Sequence, residues 1–89
     1  MELSEAFGAT LRRIREKNEL SQEELAHKCD LDRTFISLLE RGLRQPSLST
    51  VFKVAAHLGI SAQELVRQVE RYQKRGARKN VPRPAPSRG

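Results

Sequence analysis

Apolar positions recur three and four residues apart along this chain, and polar caps divide them into five runs. Leu3, Phe7, Leu11 and Ile14 form the first stripe, which predicts a helix from near Leu3 to Lys17, closed by Asn18-Glu19. Leu20 then turns into the core. Ser21, with Glu24 three residues on, makes a capping box, so a second helix begins at Gln22 with Leu25, Ala26 and Cys29 on its apolar face. Asp30 interrupts it. Asp32 is placed to cap a third helix whose buried positions are Phe35, Ile36 and Leu39, and Gly42 ends that helix, where a left-handed residue is easiest. Pro46 keeps the next segment a loop, and Ser47 caps a fourth helix over Leu48 to Leu58, with Leu48, Val51, Phe52, Ala55 and Leu58 apolar and Gly59 as its stop. A second capping box, Ser61 with Glu64, opens a fifth helix through about Tyr72, whose apolar positions are Leu65, Val66 and Val69.

Eighty-nine residues allow one small domain. With four aromatics and no Trp, the core must be aliphatic, and the expected fold class is all-α, a compact five-helix bundle. No apolar run approaches the roughly 20 residues of a membrane span. The first residues, with Glu2 and Glu5, have neither the basic flank nor the apolar stretch of a signal peptide. A single Cys excludes an internal disulfide and a multi-cysteine metal site, which fits a reducing cytoplasm. Cys29 reads first as a small buried hydrophobe and second as a redox-sensing thiol. His27 and His57 stand thirty residues apart, with no Cys or acid at metal or nucleophile spacing. The glycines at 8, 42, 59, 76 and 89 are scattered, mostly at helix ends, and make no phosphate loop. No enzyme, cofactor or metal is expected.

The net charge of +6 is unevenly placed. Residues 1–72 carry eleven Lys/Arg and eleven Asp/Glu, whereas 73–89 carry Lys74, Arg75, Arg78, Lys79, Arg83 and Arg88 with no acid. The high isoelectric point therefore belongs to the C-terminal segment and says nothing about the surface of the helical part. That segment has three Pro after Gly76 and little to bury, which predicts a domain over 1–72 and a disordered basic tail over 73–89.

Helices two and three are short, joined by a tight turn, and meet at the small Ala26, which suits two helices crossing near a right angle. This is the pattern of a helix-turn-helix, whose second helix offers its outer N-terminal positions to base edges in the major groove. Arg33 can present two parallel donors to guanine O6 and N7. Thr34 can donate, accept or place its methyl on a thymine methyl, and Ser37, one turn on, is a short polar group for a base edge or phosphate. Asp32, placed to cap the same end, is counted with these DNA-binding candidates. Leu38 either touches a thymine methyl or packs at the edge of the core. Gln22, at the start of helix two, is set for a phosphate, where free N–H groups also point. Arg41 and Arg44 suit the flanking backbone, with ordinary solvated arginines as the alternative.

From about Leu11 to Val66 the chain resembles the Cro and phage-repressor type of helix-turn-helix domain, also called xenobiotic-response-element-like. Gln22, Ala26, Ile36 and Leu39 carry the resemblance, followed by Glu40-Arg41-Gly42, Pro46-Ser47-Leu48, Ala55 and Leu58-Gly59-Ile60. One position departs: Asp30 stands where the family usually has Gly, and Asp tolerates the left-handed region better than most residues. The resemblance implies a lambda-repressor-like DNA-binding domain acting as a homodimeric transcriptional regulator on a palindromic operator. It also implies that Glu40 pairs with Arg15 of helix one and turns that arginine toward the DNA backbone. Leu65, Val66 and Val69, with Ile60, either complete the core or form a two-fold interface that sets two recognition helices one DNA turn apart. The run Leu31 to Ser37 resembles, in addition, the stand-alone controller proteins of restriction-modification systems. Double-stranded DNA and a second copy of the chain are the implied partners, with RNA polymerase or a toxin-like protein beyond them and no membrane. The alternative is an antitoxin-type interaction module that binds a partner protein and DNA.

Overall fold

Five helices follow one another in the computed structural model, which describes residues 2–77: α1 (Leu3–Lys17), α2 (Gln22–Cys29), α3 (Arg33–Glu40), α4 (Leu48–His57) and α5 (Ala62–Ala77). No strand occurs among the described residues. Local chemistry accounts for most of the boundaries. Ser21 Oγ accepts from the Glu24 N–H at 3.0 Å while the Glu24 carboxylate accepts from the Ser21 N–H at 2.8 Å, a complete capping box. Ser47 Oγ accepts from the Thr50 N–H at 3.1 Å. At α5 the box is half made: Ser61 Oγ takes the Glu64 N–H, but the Glu64 carboxylate accepts from Arg67 and Gln68 instead. Those two donors hold the Glu64 carboxyl below the usual carboxylate range. Asp32 stands at the cap position of α3 without a side-chain cap bond, contrary to expectation.

The first four helices share one ending. A left-handed residue follows each, at φ 61° for Glu19, 57° for Asp30, 74° for Gly42 and 76° for Gly59. The next N–H then reaches back to the carbonyl five residues earlier: Leu20 to Arg15, Leu31 to Ala26, Leu43 to Leu38 and Ile60 to Ala55, at 2.8–3.2 Å. Asp30 thus makes the turn that the family usually assigns to Gly.

The core joins Phe7, Leu11 and Ile14 of α1 to Leu25, Ala26 and Cys29 of α2, Ile36 and Leu39 of α3, Val51, Val54 and Ala55 of α4, and Leu65 and Val69 of α5. Three stripe positions differ from expectation. Leu3, Leu48 and Phe52 are 51%, 71% and 59% exposed. α4 carries apolar residues on both faces, so periodicity alone could not choose, and Val54 is buried in place of Phe52. Phe35 is half-buried at the rim. Helix α5 runs five residues past Tyr72, because Gln73, Lys74 and Arg75 are good helix formers and no breaker stands before Gly76. Residues 78–89, most of the expected basic tail, lie outside the described residues.

The proposed interface set also needs correcting. Leu65 is fully buried and Val69 is 5% exposed, both inside this subunit's own core; of the three residues only Val66, 51% exposed, faces outward.

Candidate nucleic-acid interface

The left-handed Asp30 reverses the chain after α2, and the buried Ala26 lets α3 cross close to it. Ile36 and Leu39, both fully buried, fix which side of α3 turns inward. At about 100° per residue, Arg33, Thr34, Ser37, Leu38 and Arg41 then share the opposite arc. Arg33, Thr34 and Arg41 are exposed there, and Ser37 and Leu38 are half-buried. Asp32 is exposed at the N-terminal end. Arg44, beyond the helix, lies with its guanidinium carbon 5.8 Å from the Phe35 ring centroid, a cation–π distance that steadies it beside α3. Asp32, Thr34, Leu38 and Arg44 line one open hollow along this edge.

A buried network anchors the other end of α3. The Arg15 Nε donates to Glu40 Oε2 at 2.6 Å and its Nη2 to Glu40 Oε1 at 3.0 Å, a bidentate pair, while Nη1 donates to the Leu20 carbonyl at 2.8 Å. The side chains of Arg15 and Glu40 are 10% and 3% exposed. Hydrogen bonding to Glu40 is the main reason that the Arg15 guanidinium is raised even above its ordinary high value. Gln22 Nε2 donates to Glu40 Oε1 at 3.0 Å, so one carboxylate ties α3 to α1 and to the first turn of α2.

Arg15 is held in place by all three of its nitrogens and keeps one further N–H on each of Nη1 and Nη2. Gln22 is half-buried with its amide held by Glu40, since a buried carboxylate with lone pairs to spare draws in the nearest donor.

Gly8 was read past in the sequence and is a part of this anchor. It lies mid-helix in α1 against the end of α3, where an added Cβ would stand 2.6 Å from the Glu40 carbonyl oxygen and closer still to that of Leu39. The clue was available: Gly inside a helical stripe is disfavoured by about 0.5–1 kcal/mol relative to Ala, so its presence needs a packing reason.

Other candidates are not brought together. His27 and His57 are exposed, and no group of three metal-ligating side chains occurs among the described residues. Cys29 is buried in the core, and burial pushes its thiol up, which suits packing rather than reactivity.

A sequence profile of the helix-turn-helix family matches residues 11–65, the span that builds this geometry. The chain belongs to the Cro/repressor-type helix-turn-helix family. Among its relatives is the control protein C.BamHI of Bacillus amyloliquefaciens, 46% identical over 61 residues, which are 67% of this chain and 75% of that protein. The crystal structure of the restriction-modification controller C.AhdI of Aeromonas hydrophila superposes with a TM-score of 0.68 at 42% identity, over 70% of this chain and 94% of that one. The controller C.Esp1396I, solved as a tetramer in complex with its natural 35 base-pair operator, superposes with a TM-score of 0.73 at 26% identity, over 81% and 95% of the two chains.

Proposed function

We propose that this helix-turn-helix protein is a sequence-specific transcriptional regulator that inserts α3 into the major groove of double-stranded DNA as a homodimer. The observation that carries this reading is the outward arc of α3, where Arg33, Thr34 and Ser37 stand together while the helix is anchored from behind by Glu40. Arg33 supplies a bidentate donor for guanine, Thr34 and Ser37 shorter contacts, and Leu38 an apolar surface for a thymine methyl. Asp32 borders the same face. Arg41 and Arg44 contact the flanking phosphates, and Gln22 acts through Glu40 to set the approach of α2. The controllers among the relatives, one of them solved on its operator, favour a regulator over an antitoxin-type module. No catalytic group is needed for this role.

The dimer would form through exposed apolar residues of α4 and α5, with Leu48, Phe52 and Val66 as the candidates. No helix among the described residues is long and apolar enough to cross a membrane, so work on DNA in the cytoplasm meets no obstacle there. Selection of bound duplexes from a random pool tests the whole reading. A two-fold symmetric consensus with half-sites about one helical turn apart is the expected result, and a pool without enrichment would overturn it.

A further inference from the structure

The described lysines and arginines do not all serve the recognition face. Arg12, Arg15 and Arg67 lie within salt-bridge reach of Glu16, Glu40 and Glu64, respectively. Arg33, Arg41 and Arg44 belong to the DNA reading. A third group sits elsewhere. Between α1 and α5, Arg13, Lys17, Gln68, Arg71, Tyr72 and Arg75 line two adjoining hollows that share Arg13, Gln68 and Arg71. No carboxylate lines either hollow, and none among the described residues comes within salt-bridge distance of these four cations.

The groove is partly set in advance. Arg13 Nη2 donates to Gln68 Oε1 at 2.7 Å, and Gln68 is itself held through its Nε2 by Glu64 at 2.9 Å. The guanidinium carbon of Arg75 lies 5.9 Å from the ring centroid of Tyr72. Gln68, Arg71, Tyr72 and Arg75 follow at i, i+3, i+4 and i+7, a ridge about 10 Å long at 1.5 Å per residue. Like charges four apart, such as Arg71 and Arg75, repel, so an anion is the natural complement.

Direction decides which anion. Arg13 and Arg15 lie about 160° apart around α1, and Arg15 marks the side that meets α3. By the same count Gln68 lies about 160° from the exposed Val66 on α5. The groove therefore faces away from the recognition helix and from Val66, the member of the proposed dimer surface that α5 carries. Its smaller hollow holds about 280 Å³, room for a few side chains.

We propose that the groove between α1 and α5 is a docking site for an acidic segment of a partner protein, with Arg13, Lys17, Arg71 and Arg75 taking its carboxylates and Tyr72 its apolar groups. The site itself needs no DNA, and its choice of a protein anion over a nucleic acid rests on the reading of α3 as the recognition helix.

The test uses the full chain and a fluorescein-labelled hexaglutamate peptide, followed by anisotropy at low salt. Arg71 and Arg75 are exposed, so R71E/R75E is expected to fold, which circular dichroism checks; R71Q/R75Q is the milder companion. R71E/R75E should lose at least tenfold in peptide affinity and R71Q/R75Q somewhat less. K28E/K53E, which makes the same change in net charge at two exposed sites outside the groove, should stay within threefold of the unmodified protein. Equal loss in K28E/K53E would mean that only bulk charge is sensed and would overturn the site. So would unchanged binding by R71E/R75E. A random-sequence duplex gives the other arm: if R71E/R75E loses far more duplex affinity than K28E/K53E, the groove is a nucleic-acid surface and the proposal fails.

Discussion

The two ends of α3 are built in opposite ways. At its C-terminal end the Glu40 carboxylate is almost wholly buried, receives three hydrogen bonds from two other helices and abuts a glycine that no larger residue could replace without displacement. At its N-terminal end Asp32, Arg33 and Thr34 are exposed, and the helix has no side-chain cap. The helix is fixed where it reads nothing and open where it is to read. A recognition helix needs this division, because base contacts discriminate only when the backbone carrying them is held in register, and a group tied up inside the protein has nothing left for a base.

The largest effects are therefore expected at the fixed end. Glu40→Ala leaves the Arg15 charge buried without its partner and should cost about 3–5 kcal/mol of stability by urea denaturation. Replacing both members, as Arg15→Met with Glu40→Leu, should cost much less than the sum of the single losses, since neither charge is then stranded. Strict additivity would mean that the pair is not the anchor. Gly8→Ala should lose about 1–3 kcal/mol, although Ala is the better helix former, because α1 and α3 must separate to admit the methyl group. A stabilised Gly8→Ala would remove the glycine from the anchor.

The exposed end should respond in binding and not in folding. Arg33→Ala is expected to leave the melting temperature unchanged and to relax the preference at one base position per half-site, with a loss of about 1–3 kcal/mol for each contact. Equal weakening on every sequence would make Arg33 a phosphate contact instead.

How legible each end was follows from the range of the interactions. Local chemistry was readable: the Ser21 and Glu24 box closes in both directions, and Asp30 adopts the left-handed turn that its short polar side chain tolerates. The exposed arc of α3 followed once Ile36 and Leu39 were identified as core. The anchor spans 25 residues between Arg15 and Glu40, and no local pattern announces it. Only family resemblance suggested that pairing. The start of α2 suggested a phosphate role for Gln22 but not its bond to Glu40, since no local rule sees a buried carboxylate arriving from another helix. Leu48 and Phe52 were misplaced for a different reason: where both faces of a helix are apolar, periodicity no longer distinguishes inside from outside.

The smallest expected effect sharpens the contrast most, because it sets one helix cap against another. Ser21 caps α2 with a bond to the Glu24 N–H, so Ser21→Ala should cost about 1 kcal/mol, the usual value of a side-chain cap. Asp32 occupies the equivalent place before α3 and makes no such bond. What it retains is a negative charge near the positive end of the α3 dipole, an interaction of about 0.3–1 kcal/mol that salt screens. Asp32→Ala should therefore destabilise by less than Ser21→Ala at low salt, and the difference should widen as salt is added. In binding the order reverses. Removing a carboxylate from the DNA-facing edge lifts a repulsion toward phosphate, so Asp32→Ala should tighten non-specific duplex binding, while Ser21→Ala changes it little. A loss of about 1 kcal/mol or more for Asp32→Ala at high salt would show that α3 is capped after all, and that its exposed end is as firmly tied as its buried one.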